Sequence, residues 1–234
     1  LRNLKDQNVI KVISGVRRCG KSTLLMMFAE TLIQSGIDRK QIQFYNFEDL
    51  DTLAIGNIYQ IHTHIKERLV DDKPNYIFLD EIQNVAEFQR LVDSLYIKPN
   101  VDVYITGSNA YLLSGELATL LTGRYIEINI LPLQFAEYYQ FTLSKSPNLS
   151  KQDILANFIH YGGIPEYNKQ LNISEKQADL FAQSVLKTIV EKDIFQRLNI
   201  TNKHDFNKII DFVFDSVGSY VSPRSISDTL RSNG

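Results

Sequence analysis

The chain is short of several things, and each shortage removes a class of protein. It has one cysteine, Cys19, among 234 residues. An internal disulfide framework is therefore excluded, as expected of a reducing compartment. No apolar run approaches the roughly 20 residues that cross a bilayer, and no secretory signal pattern opens the chain. No membrane partner is expected, and the expected location is cytoplasmic. Charge of one sign is also lacking: 25 Lys and Arg stand against 27 Asp and Glu, a net charge of -2. That excludes a globally basic protein that coats nucleic acid. Internal repeats and low-complexity tracts are absent. His62, His64, His160 and His204 form no ligand constellation with the cysteine, so no zinc site is expected. The first residue is Leu1 rather than Met, so further N-terminal sequence is expected to precede it.

What remains is ordinary material for a globular core, with 44% hydrophobic and 22% charged residues. The length suits one large domain with an appendage. The first part alternates strand-like and helix-like segments. Strands are expected at Val9–Ile13, Ile42–Phe47, Tyr76–Leu79, Val101–Ile105 and Tyr125–Leu131, each a short run rich in apolar, β-branched or aromatic residues. Helices are expected near 21–34, capped by Gly36, and near 58–70. Val85, Phe88, Leu91, Val92 and Leu95 lie at helical spacing. Such alternation predicts an α/β fold with a buried parallel sheet and helices on both faces. After Pro132 the strand signal fades. Helices are expected at 133–142, 151–160 and 178–198. Phe206, Ile209, Ile210, Val213, Phe214 and Val217 predict another, and residues 222–230 begin a further one. The expected organisation is a core at 1–131, a helical lid at 132–200 and the beginning of a third unit at 201–234.

Ligands of open parallel sheets bind beyond the carboxyl ends of the strands. Three polar clusters fall at three such ends. The first is Gly15-Val16-Arg17-Arg18-Cys19-Gly20-Lys21-Ser22, which matches the Gly-x-x-x-x-Gly-Lys-Ser/Thr phosphate loop. Its glycines let successive backbone N–H groups aim at phosphate oxygens, and the helix beginning at Lys21 adds the positive end of its dipole. Lys21 is expected to reach the β- and γ-phosphates, Ser22 to ligate Mg²⁺ and Thr23 to contact the α-phosphate. Arg17 and Arg18 either steer the nucleotide or a partner, or are solvated loop charges. Cys19 reads as a loop spacer.

The second cluster is Asp80-Glu81. An Asp here holds Mg²⁺, and an adjacent Glu can act as general base toward water. Alone the pair would read as two acids capping a helix; joined to the phosphate loop it reads as chemistry. The third cluster holds Ser108 and Asn109, one of which either contacts the γ-phosphate and attacking water or caps the next helix. Arg124, just before the fifth strand, is either an arginine finger acting on a neighbouring subunit or a surface salt-bridge partner. Tyr161-Gly162-Gly163-Ile164-Pro165 reads as a turn between lid helices.

These motifs in this order, with Leu79-Asp80-Glu81-Ile82-Gln83, Thr106-Gly107-Ser108, Gly123-Arg124-Tyr125, Leu131-Pro132-Leu133-Gln134-Phe135 and Gly162-Gly163-Ile164-Pro165-Glu166, resemble prokaryotic AAA-type ATPases bordering the STAND-like archaeal ATPases. The resemblance covers about residues 8–200. It implies an AAA+ P-loop core with strand order 5-1-4-3-2, a helical lid, and a continuation into a winged helix and a nuclease-like C-terminal domain. On that basis residues 201–234 are expected to begin a winged helix, and the chain to be a fragment. Residues 203–234 carry four Lys or Arg and four Asp, so they show no basic footprint of their own. DNA or protein partners through that unit, and a homo-oligomer, are implied by the resemblance alone. The expected activity is Mg²⁺-dependent ATP binding and hydrolysis that switches or drives an attached module. The alternative is a nucleotide-sensing regulatory or DNA-binding protein with little turnover. A small-molecule P-loop kinase is disfavoured by Glu81 and by the lack of an Arg-rich lid.

Overall fold

The computed structural model describes residues 1–107, 121, 123–166, 175–195 and 200–232. Five segments form strands: β1 (Ile10–Gly15), β2 (Ile42–Asn46), β3 (Asn75–Asp80), β4 (Val101–Thr106) and β5 (Tyr125–Ile130). They pair in parallel in the order β2-β3-β4-β1-β5. This is the 5-1-4-3-2 order expected from the sequence, read from the opposite edge. Parallel neighbours need crossover connections, and helices supply them: α1 (Lys21–Gln34), the single turn α2 (Leu50–Leu53), α3 (Ile58–Lys66) and α4 (Phe88–Tyr96).

The central strands are largely apolar because both faces are covered. Successive side chains alternate between two cores. Ile10, Val12, Ile77, Leu79, Val103 and Ile105 point to α3 and α4, which bury Ile58, Ile61, Ile65, Phe88, Leu91, Val92 and Leu95. Ile13, Tyr76, Phe78 and Tyr104 point to α1, which buries Leu25, Phe28, Ala29 and Leu32. There the Phe78 and Tyr104 rings stack at 4.9 Å between centroids. At about 1.5–3 kcal/mol per large apolar side chain removed from water, these two layers dominate the folding energy.

Some boundaries differ from those read in the sequence. The helix expected to run to residue 70 stops at Lys66. The Val70 amide instead donates to the Asn75 side chain at 2.8 Å, and the Asn75 amide donates back to the Val70 carbonyl at 2.9 Å. Val85, at helical spacing with Phe88, lies before α4, because Glu87 takes a left-handed conformation at φ 56° and breaks the helix there.

The chain divides into two compact units, Leu1–Val185 and Leu186–Gly234. In the first, β5 is followed by α5 (Phe135–Lys145) and α6 (Lys151–Tyr161), then α7 (Glu175–Thr188), in which the unit ends. The Gln134 amide at the start of α5 donates to Glu137 at 2.9 Å, which serves an otherwise unpaired helix-end N–H. Where one helix was expected to run over 178–198, α7 gives way at Ile189 to a π-helical stretch, Ile189–Phe195. The second unit contains that stretch, α8 (Lys203–Asp215) and α9 (Pro223–Ser232). Phe195 and Phe206 meet edge to face at 5.0 Å. Val213, Phe214 and Val217 of the expected apolar stripe are exposed.

Candidate nucleotide-phosphate site

Beyond the carboxyl end of β1 the chain turns sharply through residues 15–22 into α1. Gly15 is required there. A Cβ on it would lie 2.4 Å from the Ile130 carbonyl oxygen and 2.7 Å from the Cys19 sulfur. Gly20 caps α1 with φ 103°, and Arg18 is left-handed at φ 66°, so the loop turns tightly, with the Cys19 amide donating to the Val16 carbonyl at 3.3 Å. Cys19 is buried beneath it, and burial pushes its thiol pKa up. Val16 is exposed at the crest.

Lys21 is buried at the base of the loop. Its Nζ donates to the carbonyls of Gly15 at 3.1 Å and Val16 at 3.3 Å, and lies 3.8 Å from Glu81 Oε1. Ser22 Oγ donates to Asp80 Oδ1 at 3.0 Å. Thr23 is exposed on the first turn of α1 and does not enter this cluster.

Asp80 and Glu81 follow β3 directly. The parallel register places Asp80 beside Asn46 at the end of β2, and Leu79 beside Ile105, one residue before the end of β4. Thr106 Oγ1 therefore reaches both acidic residues: it donates to Asp80 Oδ1 at 2.5 Å and accepts from the Glu81 amide at 2.9 Å. Burial pushes the Asp80 carboxyl up. The Thr106 and Ser22 hydroxyls pull it back, Glu81 raises it and Lys21 lowers it. Glu81 is held at φ 52°, an unusual backbone state for a non-glycine residue. Gln83 Nε2 donates to Glu81 Oε2 at 2.5 Å.

Lys21, Ser22, Asp80 and Glu81 are thus brought together as the spacing predicted. Ser108 and Asn109 lie outside the described residues. Thr106 was missed as a site residue, although its signal was legible: it is a polar residue ending a buried strand, in register with Ile13 two residues before the loop glycine. Arg124 is placed elsewhere. It sits at the opposite, amino-terminal edge of the sheet, where its carbonyl accepts from the Ile10 amide at 2.8 Å, and its guanidinium pairs with Asp93 of α4. It takes no part in this chain's own phosphate loop.

The two loop arginines have partners. Arg17 lies 3.5 Å from Glu48. Arg18 pairs with Glu166 at 3.1 Å and covers the Phe181 ring of α7 at 4.7 Å. The Gly162–Glu166 turn, read from sequence as a plain connection, therefore abuts the phosphate loop. A Cβ on Gly20 would lie 3.9 Å from Pro165, and one on Gly163 would lie 2.0 Å from the Leu133 carbonyl. The Leu133 amide donates to the Gly163 carbonyl at 2.7 Å.

A hydroxyl and a carboxylate 3.0 Å apart are hard oxygen donors of the type that hold Mg²⁺. No cluster of three or more His, Cys, Asp or Glu suited to a metal exists among the described residues. Most ligands of a cation here would then come from phosphate and water, the usual arrangement for Mg²⁺.

A parallel sheet in this order, a lysine-bearing loop opening a helix, and an Asp-Glu pair at the end of β3, one strand removed from β1, are the features of a P-loop fold of the AAA type. Residues 7–139 match the AAA domain family, AAA_14, and the chain belongs to it. Residues 152–233 match a domain of unknown function, DUF8612. The chain is 38% identical over 233 residues to an uncharacterized protein of Haemophilus influenzae, covering 99% of this chain and 58% of that one. It is 29% identical over 231 residues to an uncharacterized protein of Methanocaldococcus jannaschii, covering 96% of this chain and 50% of that one. It thus spans about half the length of these relatives. Among solved structures, a Walker-type ATPase of Pyrococcus abyssi shares the fold at TM-score 0.53 and 16% identity, covering 96% of this chain and 83% of that one. The replication initiator DnaA, bound to AMPPCP and single-stranded DNA, does so at 0.50 and 15%, covering 95% of this chain and 70% of that one. No helix among the described residues is long and apolar enough to cross a membrane.

Proposed function

We propose that the chain binds ATP with Mg²⁺ and hydrolyses it, using the cycle to switch or drive an attached module. The observation that supports this most is the meeting of Lys21, Ser22, Asp80, Thr106 and Glu81 around the mouth of the phosphate loop. Lys21 and the loop amides would bind the β- and γ-phosphates. Ser22 and Asp80 would hold Mg²⁺, which when bound neutralises phosphate charge. Glu81 would take the proton from the attacking water. Thr106 holds the two acidic residues in fixed relation, so the base and the metal carboxylate keep one spacing. Thr23, and Ser108 or Asn109, would complete the phosphate contacts.

The reading extends beyond the loop. Helices of residues 132–200 act as the lid, and residues 201–234 begin a winged helix through which a DNA or protein partner is engaged. The Arg18–Glu166 pair supports a switching role, because it joins the phosphate loop to the turn at the base of the lid. Arg124 would serve a neighbouring subunit in a homo-oligomer, exchanging Asp93 for that subunit's nucleotide.

Steady-state ATP hydrolysis by the full-length protein, with and without Mg²⁺, tests the reading. Turnover that needs Mg²⁺ and disappears in Glu81→Gln while ATP still binds is expected. Wild-type turnover in Glu81→Gln would remove Glu81 as base.

A further inference from the structure

Gln83 lies on the single 3-10 turn Ile82–Asn84 that follows Glu81. That turn is anchored independently of Gln83. Ile82 is fully buried, Asn84 Nδ2 donates to the Phe47 carbonyl at 3.1 Å, and the Val85 amide donates to the Ile82 carbonyl at 3.0 Å. Glu81 is likewise held from its other side, by the Thr106 hydroxyl on its amide and by Lys21 near Oε1. Yet Gln83 Nε2 donates to Glu81 Oε2 at 2.5 Å. Its Oε1 is buried and has no hydrogen-bond partner among the described residues. The amide cannot relieve this by flipping, because a flip would turn Oε1 onto the carboxylate.

A carboxylate that takes protons thus stands beside an amide oxygen that accepts hydrogen bonds and receives none from the protein. Unsatisfied buried acceptors are rare in folded proteins, and each calls for a cause. Water answers both groups, since it brings two O–H donors. We propose that Gln83 is the positioning residue for the nucleophilic water, a role that rests on the hydrolytic reading above. Nε2 fixes the Glu81 carboxylate in one orientation, and Oε1 accepts one hydrogen bond from the water while Glu81 draws the other proton. The water oxygen then bonds to the terminal phosphorus, the bond from that phosphorus to the bridging oxygen breaks with its electron pair leaving on ADP, and the proton passes to Glu81. Gln83 gains and loses no proton.

The test compares full-length wild type, Gln83→Met, Gln83→Asn and Glu81→Gln by kcat, KM, equilibrium binding of a fluorescent ATP analogue and Tm. Methionine keeps the length of the side chain and removes both hydrogen bonds. Gln83→Met should lose about 10²- to 10³-fold in kcat, in the range of one oriented group acting on the transition state. Its analogue affinity should stay within about 3-fold, and its Tm within a few degrees, because losing the unpaired buried acceptor offsets losing the donor to Glu81. Gln83→Asn, with the amide withdrawn by one methylene, should fall between. A merely structural Gln83 would lose affinity and Tm together with kcat, and that pattern would overturn the assignment. So would wild-type kcat in Gln83→Met. If wild type turns over no faster than Glu81→Gln, the hydrolytic reading and this one fall together. If wild type turns over and Gln83→Met matches it, the role of Gln83 alone falls.

Discussion

The two edges of the sheet each carry a buried lysine beside a carboxylate, yet they are built oppositely. At the amino-terminal edge, Lys11 is fully buried and bonded to Asp102 and to the Gln7 carbonyl at 2.7 Å. Asp102 also accepts from the Asp6 amide at 3.0 Å and the Tyr104 hydroxyl at 2.8 Å, and Tyr76 donates to Asp6 at 2.8 Å. Every charge in this network has its hydrogen bonds. At the carboxyl edge, Lys21 bonds only to loop carbonyls and stands 3.8 Å from its nearest carboxylate. There Gln83 Oε1 lacks a partner among the described residues. A cavity of about 740 Å³ opens at the amino edge beside Asp102, Asn8, Tyr96 and Asn100, so volume alone points to the wrong end. A closed network resists deformation. A site for a charged ligand keeps donors and acceptors in reserve.

The largest expected difference is catalytic. Glu81→Gln should lose about 10²- to 10⁴-fold in ATP turnover, the usual contribution of a general base, while Asp102→Asn should leave turnover near wild type.

Exchanging the two lysines for methionine sharpens the contrast. Lys11→Met strands a buried carboxylate and should destabilise the fold by about 3–5 kcal/mol in a denaturant melt, with ATP affinity in the folded fraction unchanged. Lys21→Met should instead weaken ATP binding by about 100-fold, the worth of two charge-assisted hydrogen bonds, with little change in the melt. Equal loss of stability in both variants would erase the distinction between the edges.

Asp80 separates function from stability by pH. Its carboxyl is pushed up by burial, so the folded state binds the proton more tightly than the unfolded chain does. That stabilisation is complete below the unfolded carboxylate pKa and is lost as pH rises through the raised folded value. Nucleotide-free Asp80→Asn should lack this decline and melt higher than wild type at neutral pH, while losing Mg²⁺-dependent ATP binding. A wild type whose nucleotide-free stability instead rises through that interval would contradict the buried placement of Asp80.

The smallest effect concerns the proposed lid. Arg18 and Glu166 are each more than a third exposed, and such pairs contribute only about 0–1 kcal/mol. Arg18→Ala should therefore leave Tm within a few degrees, yet uncouple the proposed lid, so that ATP no longer changes proteolysis of the Gly162–Glu166 turn. The exchange Arg18→Glu with Glu166→Arg should restore that change.

The sheet was legible because buried parallel strands read as unbroken apolar runs, as Tyr76–Leu79 and Val103–Ile105 do. Lys21 and Ser22 were legible because a phosphate loop fixes their spacing along the chain, and Asp80 and Glu81 because they end an apolar strand. Thr106 showed as a polar residue ending a buried strand, but its contacts with Asp80 and Glu81, like that of Gln83 with Glu81, did not. They depend on register across β3 and β4 and on the direction of one 3-10 turn, neither of which leaves a periodic trace. The contact between the Gly162–Glu166 turn and the phosphate loop joins residues more than 140 positions apart, beyond any local pattern. The short helix ends at Lys66 and before Phe88 were set by an asparagine side chain and a left-handed glutamate, where spacing alone would extend the helices.

The most direct test of the contrast between the edges is amide hydrogen exchange of the full-length protein with and without Mg²⁺-ATP. Protection should rise in residues 15–23 and 80–84 and stay unchanged in 5–12 and 97–102. Protection confined to the amino edge, or absent from the phosphate loop at saturating ATP, would contradict the assignment of the carboxyl edge as the nucleotide site.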